Sequence, residues 1–243
     1  MINIVIPMAG LGSRFAKAGY EKPKPFIDVA GKPMIVRVME NLHVPDAQYF
    51  LIGRKEHLEQ EKQLVKEISA RYNATFIPID LLTEGTACTV LFARQYIDND
   101  VPLLIANSDQ VVDSDIKLFV SDCNARSLDG SILTFEDKER NPKWSFAKID
   151  SAGLVTETKE KVAISEFATV GIYLFSKGRY FVDGAIDMII RNDRVNNEFY
   201  SCPVYNYCVK DGQRIGIYNI RQEEMHGLGT PEDLERYLLD TRP

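Results

Sequence analysis

The sequence predicts an α/β fold in which helices flank a Rossmann-like, mainly parallel central sheet, followed by a mixed α+β half. Strand and helix signals alternate through residues 1–125, and this alternation implies right-handed crossovers and a parallel sheet. From residue 126 onward, consecutive strand signals joined by turns become common. A glycine-rich loop follows the first apolar run directly, at the position where open α/β sheets bind ligands.

The first half contains alternating signals for strands and helices. Strands are predicted from short β-branched or apolar runs at Ile2–Pro7, Tyr49–Ile52, Ala74–Ile79 and Pro102–Ala106. Helices are predicted at Met34–Leu42, Glu56–Tyr72 and Thr86–Ile97.

The second half has strand signals at Ser131–Phe135, Phe146–Ile149, Leu154–Glu157 and Ala168–Phe175, and helix signals at Lys177–Arg191 and Pro231–Leu239. Pro231 suits the first turn of a helix, and Thr230 before it is a good N-cap. We expect one domain over residues 1–243, made of two halves, 1–125 and 126–243.

Composition limits the classes of function. The chain of 243 residues carries 29 Lys and Arg against 35 Asp and Glu, a net charge of −6, which disfavours a nucleic-acid partner. No apolar run reaches the roughly 20 residues of a membrane span, and the first residues lack the basic leader of a signal peptide. The four cysteines form no C-x-x-C pair, so we expect reduced thiols in a cytoplasmic protein.

Basic residues gather around the glycine-rich loop at residues 8–15. Glycines there let backbone N–H groups approach phosphate oxygens, but the loop lacks the G-K-[ST] of a P-loop. Arg14 follows the glycines directly, and Lys24 lies between two prolines that stiffen its segment. Residues 1–37 contain six basic side chains against two acidic ones, which predicts a small cationic pocket in an otherwise acidic chain.

Three segments in order carry a family resemblance: Gly10-x-Gly12-Ser13-Arg14-Phe15, then Pro23-Lys24-Pro25, then Gly31-Lys32-Pro33-Met34. This pattern resembles the sugar-1-phosphate nucleotidylyltransferases, also called NDP-sugar pyrophosphorylases, which are nucleotidyltransferases of GT-A-like fold. The resemblance implies that an NTP and a sugar 1-phosphate give an NDP-sugar and pyrophosphate, with Mg²⁺ as cofactor. It also implies a nucleotide-binding half over residues 1–125 and an acceptor-binding half over residues 126–243.

The resemblance also implies residue roles on the nucleotide side. Arg14 and Lys24 match the family's phosphate-binding cations, and Asp109, after the fourth strand, matches its Mg²⁺ ligand. The matching nucleotide-binding positions are Met8, Ala9, Gly10, Leu11, Gly12, Ser13, Gly85 and Thr86, with Thr86 also able to cap the helix that follows.

Asp80 indicates which base is bound. The resemblance places it where relatives that transfer uridylyl or thymidylyl groups carry a glutamine that reads the base. A carboxylate accepts hydrogen bonds and cannot donate them, so Asp80 suits an exocyclic amine and slightly favours CTP.

On the acceptor side, the resemblance implies contacts from Trp144, Lys161, Gly171 and Glu198. The family's glycine after the aromatic residue is Ser145 here. The family's aspartate that serves as second metal ligand is Gly227, so either His226 or Glu224 replaces it or Asp109 and substrate phosphates hold the ion without it.

Several alternatives stay open from sequence. The acceptor could be a non-hexose phosphate, such as an alditol phosphate or phosphocholine, used with CTP. A glycosyltransferase of similar fold would need a D-x-D-like motif, and Asn107-Ser108-Asp109 offers one carboxylate. A non-catalytic nucleotide-sugar sensor would have no need of Arg14 and Lys24. A homo-oligomer is compatible with the sequence.

Overall fold

A computed structural model describes residues 1–240, and one nine-stranded sheet runs through them. Its strands are β1 (Ile2–Met8), β4 (Ala47–Arg54), β5 (Ala74–Ile79), β6 (Leu103–Ala106), β8 (Gly130–Glu136), β9 (Ser145–Ile149), β10 (Val155–Glu160), β11 (Phe167–Phe175) and β12 (Ile215–Ile220). Two small ribbons pair β2 (Asp28–Val29) with β3 (Lys32–Pro33) and β7 (Gln110–Val112) with β13 (Met225–Gly227).

Helices cover both faces of this sheet. They are α1 (Ser13–Lys17), α2 (Met34–Asn41), α3 (Lys55–Gln60), α4 (Lys62–Tyr72), α5 (Thr86–Val90), α6 (Arg94–Ile97), α7 (Ile116–Ala125), α8 (Gly178–Ile190), α9 (Tyr205–Lys210) and α10 (Pro231–Asp240). Single 3₁₀ turns lie at Lys24–Phe26, Leu91–Ala93, Cys202–Val204 and Gln222–Glu224. None of the helices within residues 1–240 has the length and apolar character needed to cross a bilayer.

The strand order places a crevice between β1 and β6. Strands β5, β4, β1 and β6 are parallel in that spatial order, so the chain proceeds outward on one side of β1 and then resumes on the other. Ligands of open α/β sheets bind at such a reversal, outside the carboxyl ends of the strands. Beyond β6, β11 is antiparallel to both β6 and β8, and β12 is parallel to β8. The predicted fold class, a parallel nucleotide-binding-like half followed by a mixed half, is confirmed.

Alternating side chains of the strands build two cores, one on each face of the sheet. Along β1, Ile4 and Ile6 enter one core while Val5 enters the other. Strands of both halves contribute to each core: Leu104 and Leu133 to the first, Phe50 and Ile132 to the second. The sheet is therefore continuous through both halves and fixes its strand ends relative to one another.

Several predicted elements differ in extent from the observed ones. The predicted helix 56–72 is two helices, because Glu61 leaves helical geometry with φ −106° and ψ 31°. The predicted helix 86–97 is likewise interrupted by a 3₁₀ turn. Thr230 caps α10 as predicted, since its hydroxyl accepts the Asp233 N–H at 3.1 Å.

Candidate active site

A pocket of about 300 Å³ lies at the carboxyl ends of β1 and β6, in the crevice defined above. It is lined by Pro7, Met8, Gly10, Gly12, Ser13, Arg14, Phe15, Lys24, Pro25, Thr86, Asn107, Ser108, Asp109 and Gly229. Eight of the residues predicted from sequence therefore meet here: Met8, Gly10, Gly12, Ser13, Arg14, Lys24, Thr86 and Asp109. Ala9 is buried beneath the loop, and Leu11 is exposed beside it.

The glycine loop turns sharply where β1 ends. Gly12 is the N-cap of α1 and adopts φ 62°, in the left-handed region that favours glycine. A Cβ on Gly12 would lie 3.1 Å from Lys24 Cβ, so the loop packs closely against the lysine segment. That segment is a 3₁₀ turn stiffened by Pro23 and Pro25, with the Phe26 N–H donating to the Pro23 carbonyl at 2.8 Å. The loop and the lysine are thus held together before any ligand arrives.

Lys24 and Asp109 form an ion pair across the pocket. Lys24 Nζ donates to Asp109 Oδ2, and the two side chains are 18% and 29% exposed. The lysine ammonium also lies 5.8 Å from the centroid of the buried Phe15 ring. The Asp109 backbone carbonyl accepts the Leu228 N–H at 2.7 Å, which fixes the end of β6 to the segment before α10. The pocket therefore holds one cation and one carboxylate in contact, plus the guanidinium of Arg14.

Arg14 lies on the pocket wall, and its positive charge acts on Glu232 at the start of α10. The pKa of Glu232 is lowered by its own backbone N–H and by the Thr230 hydroxyl, with a further contribution from the Arg14 cation. Arg14 itself is exposed, so its guanidinium is accessible to an anionic ligand in the pocket.

Gly227 lies beside the pocket in the ribbon that pairs β13 with β7. It is opposite Gln110, and a Cβ at Gly227 would lie 3.8 Å from the Asp233 carboxylate. His226 Nε2 contacts Asp113 at 2.9 Å, and Glu224 accepts hydrogen bonds from Arg221. Both side chains are thus engaged away from Asp109. Across residues 1–240 there is no group of three or more His, Cys, Asp or Glu side chains arranged to hold a metal ion.

The turn of residues 83–87, called the base turn after its predicted role, packs against a loop that is distant in sequence. Gly85 adopts φ 119°, and a Cβ there would lie 2.4 Å from the Phe199 carbonyl oxygen. The sequence predicted that Thr86 could cap α5, and this prediction is wrong. Gly85 is the N-cap residue, and it makes no side-chain hydrogen bond. The Thr86 hydroxyl instead accepts the Ser201 N–H at 3.0 Å. Gly85 therefore has a structural reason to be glycine, whatever contact it makes with a base.

Asp80 lies outside the pocket. Its side chain is 77% exposed and its Oδ1 is 3.6 Å from Lys55 Nζ. It follows the end of β5, two strands from β1 on the same edge of the sheet. Its role with a base stays a prediction.

The loop of residues 192–201, called the acceptor loop after its predicted role, carries Glu198 and also Tyr200, which contacts Lys161. Lys161 Nζ donates to the Tyr200 hydroxyl at 2.9 Å and lies 4.8 Å from the ring centroid. Partial burial and a hydrogen bond to Glu198 raise the pKa of Tyr200, whereas the hydrogen bond with Lys161 lowers it. The hydrogen bond to Tyr200 in turn raises the pKa of Lys161. Tyr200 was missed by sequence reasoning, although it is two residues after Glu198 in the predicted segment.

The remaining acceptor candidates are engaged with the protein. Trp144 packs edge-on against Phe135, with centroids 5.4 Å apart, and Lys143 Nζ lies 4.5 Å from its ring centroid. Gly171 adopts φ 89°, and the space of its missing Cβ is filled by the Asn107 side chain. Their roles toward an acceptor stay predictions.

Ser145, at the position of the family's glycine, donates its hydroxyl to the buried Glu160 carboxylate. Burial raises the pKa of Glu160, although the Ser145 hydroxyl and the Lys161 cation oppose that shift. The carboxylate of Glu160 is therefore buried and hydrogen-bonded to Ser145.

A glycine loop, a stiffened lysine and a strand-end aspartate at the reversal point of a parallel sheet form the arrangement typical of phosphate-binding α/β proteins. Residues 4–213 match the nucleotidyl transferase family, and the chain belongs to that family.

Named relatives include the bifunctional protein GlmU of Methanococcus vannielii, 33% identical over 129 residues that span 52% of this chain and 29% of that protein. GlmU of Methanocaldococcus jannaschii is 23% identical over 217 residues, 80% of this chain and 48% of that one. The mannose-1-phosphate guanylyltransferase catalytic subunit beta of Xenopus tropicalis is 25% identical over 186 residues, 72% and 50% of the two chains. The chain thus spans half or less of the length of these three relatives.

Among solved structures, the nucleoside-diphosphate-sugar pyrophosphorylase of Vibrio cholerae RC9 superposes with a TM-score of 0.80 at 25% identity, over 97% of this chain and 99% of that one. The similarity to NDP-sugar pyrophosphorylases predicted from the three motifs is confirmed.

Proposed function

We propose that this protein joins an NTP and a sugar 1-phosphate to give an NDP-sugar and pyrophosphate. The observation that carries the proposal is the convergence of Arg14, Lys24 and Asp109 on one pocket at the reversal point of the sheet. Similarity to an NDP-sugar pyrophosphorylase over nearly the whole chain supports the same reaction.

The chemistry needs positioning and charge neutralisation more than proton transfer. An oxygen of the sugar phosphate attacks the α-phosphorus in line, a new P–O bond forms, and the bond from the α-phosphorus to the bridging oxygen of pyrophosphate breaks. The attacking oxygen is already anionic, so no general base is required. Lys24, held by its proline-stiffened turn, and Arg14, on the pocket wall, are suited to bind the phosphates and stabilise the charge that moves onto pyrophosphate.

The donor set of the pocket fits Mg²⁺ carried by the substrate. Asp109 supplies a carboxylate, and Asn107 and Ser108 supply neutral oxygens nearby. Mg²⁺ prefers oxygen ligands and usually keeps waters and substrate phosphates in its shell, so one protein carboxylate is sufficient. Asp109 would hold the ion, and the bound ion would neutralise phosphate charge.

The acceptor is proposed to bind toward Lys161, Tyr200 and Glu198. The ammonium of Lys161 suits the acceptor phosphate, and the exposed carboxylate of Glu198 suits sugar hydroxyls. Thr86 connects this region to the pocket, because it lines the pocket and also accepts the Ser201 N–H.

The nucleotide and the compartment are finer parts of the proposal. CTP is slightly favoured because Asp80 can only accept hydrogen bonds when ionised. A cytoplasmic location is supported by the four free cysteines. A thermal-shift comparison of the four NTPs with Mg²⁺ tests the base, and greater stabilisation by UTP than by CTP would contradict the role of Asp80.

Pyrophosphate release tests the reaction itself. The purified protein is incubated with Mg²⁺, each of four NTPs and a panel of acceptors: glucose 1-phosphate, mannose 1-phosphate, N-acetylglucosamine 1-phosphate, an alditol phosphate and phosphocholine. Release that requires both an NTP and a sugar 1-phosphate supports the proposal. Release with only the alditol phosphate or phosphocholine would indicate a nucleotidyltransferase of a non-sugar-1-phosphate acceptor. No release with any pair would favour a non-catalytic nucleotide-sugar sensor.

A further inference from the structure

Arg194 lies outside the pocket and links the acceptor loop to the base turn. Its Nη2 is 2.8 Å from Glu84 Oε2, and its Nη1 donates to the Asn197 carbonyl at 3.3 Å. The guanidinium also covers the Phe199 ring, with Cζ 4.3 Å from the centroid. Its Nε also donates to Asn192 Oδ1 at 2.5 Å, so a single side chain contacts the base turn and makes three contacts within the acceptor loop.

Backbone hydrogen bonds add to this link on either side of Arg194. The Phe199 N–H donates to the Glu84 carbonyl at 2.7 Å, and the Ala87 N–H donates to the Phe199 carbonyl at 2.9 Å. These bonds fix Phe199, whose chain neighbours are Glu198 and Tyr200. The position of the two proposed acceptor contacts therefore depends on how firmly the loop is held to the base turn.

The tip of the loop is a tight turn closed by reciprocal backbone hydrogen bonds, from the Val195 N–H to the Glu198 carbonyl at 3.0 Å and from the Glu198 N–H to the Val195 carbonyl at 2.9 Å. Asn192, Asn196 and Asn197 adopt φ values of 53°, 49° and 65°. Asparagine tolerates this left-handed region better than most residues, but each such position still costs free energy that surrounding contacts must offset. Arg194 contacts this turn through the Asn197 carbonyl and the Phe199 ring.

We propose that Arg194 is a positioning residue for the acceptor, holding the loop so that Tyr200 and Glu198 stay beside Lys161. The inference rests on the proposed function, because it assigns the Lys161 region to the acceptor. Arginine suits this task better than lysine, since its planar fork can pair with Glu84, donate to Asn197 and stack on Phe199 at once.

Steady-state kinetics separate this role from a general structural one. The substitution Arg194→Met keeps the apolar stem and removes the guanidinium. With the sugar 1-phosphate and NTP that the wild type turns over best, the KM for the sugar phosphate should rise about tenfold while the KM for the NTP changes less than about twofold. The KM of Arg194→Lys for the sugar phosphate should lie between those of the wild type and Arg194→Met, because lysine keeps the charge but lacks the planar guanidinium. Arg191→Met, an exposed arginine just after α8, is the matched control and should leave both constants unchanged.

Hydrogen exchange of the ligand-free proteins supplies a readout that needs no acceptor. Backbone amides of residues 195–201 should exchange faster in Arg194→Met than in Arg191→Met, while amides of β1 stay protected. Unchanged exchange in this loop, or a larger rise in the KM for the NTP than for the sugar phosphate, would overturn the role of Arg194 with the proposed function intact. No turnover by the wild type with any acceptor would instead reject the proposed function, and the acceptor role of Arg194 with it.

Discussion

The contact between Lys24 and Asp109 leads to a specific prediction for the substitution Asp109→Asn. The variant keeps the shape of the side chain and a neutral oxygen but removes the negative charge. Lys24 then loses its ionic partner, and the pocket loses its one carboxylate. Under the proposed function, turnover should fall strongly while the fold persists.

The expected loss of stability follows from the partial burial of the Lys24–Asp109 pair, and the expected loss of kcat follows from its place in the pocket. Side-chain exposures of 18% and 29% put it between a surface ion pair, worth about 0–1 kcal/mol, and a fully buried one, whose rupture costs about 3–5 kcal/mol. We therefore expect a loss of about 1–2 kcal/mol in the free energy of unfolding, or a few degrees in Tm. Removing a group that stabilises transferring phosphates typically costs about 10²–10³ in kcat, a much larger effect.

Pyrophosphate release and thermal melting measure the two effects on the same preparations. The matched control is Asp122→Asn, which removes the carboxylate from an ion pair with Arg126 at 3.0 Å on α7, with exposures of 31% and 36%. Both variants should lose similar stability, and only Asp109→Asn should lose turnover and need more Mg²⁺ for half-maximal rate. Turnover within about threefold of the wild type for Asp109→Asn would refute the role of the carboxylate.

Three further predictions concern stability and reactivity. Gly85→Ala should lower the free energy of unfolding by about 3 kcal/mol, because its Cβ would overlap the Phe199 carbonyl and φ 119° is strained for alanine; an unchanged melting curve would contradict this packing. Burial opposes ionisation of Glu40, but hydrogen bonds from Lys32 and Tyr72 prevail and lower its pKa, so the folded state binds fewer protons there. That contribution to stability is present at neutral pH and is lost as pH falls through the depressed pKa, so Glu40→Gln should flatten the acid limb of a stability–pH curve. Alkylation of the native protein with iodoacetamide should reach the half-exposed Cys88 first, since the other thiols are buried: Cys123, Cys202 and Cys208.

The strands of the parallel half and the residues that meet in its pocket could be predicted from local sequence. Strand β5, predicted and observed at Ala74–Ile79, is a short, mostly apolar run bounded by the turn residues Asn73 and Asp80. Asp109 and Arg14 each follow a strand of that half, and parallel strands bring their carboxyl ends to one edge, so chain position alone predicts that they meet.

Features that depend on distant segments could not be predicted in this way. The Thr86 hydroxyl looks like a helix cap from its neighbours, yet its donor is Ser201, 115 residues along the chain. Gly85 looks like a site of ligand approach, yet the backbone of Phe199 occupies that space. The break at Glu61 has no glycine or proline to mark it, and the apolar stripe continues across it.

The pairing of β12 with β8 and of β11 with β6 has a consequence for folding order. The strands of the first half lie early in the chain, whereas Thr134 of β8 meets Asn219 of β12 across a separation of 85 residues. Until β11 is synthesised, β6 is an unpaired, fully apolar edge, the kind of surface that associates with other chains. Truncations that end before residue 167 should therefore aggregate, and the most vulnerable moment during synthesis falls between the emergence of β6 and that of β11.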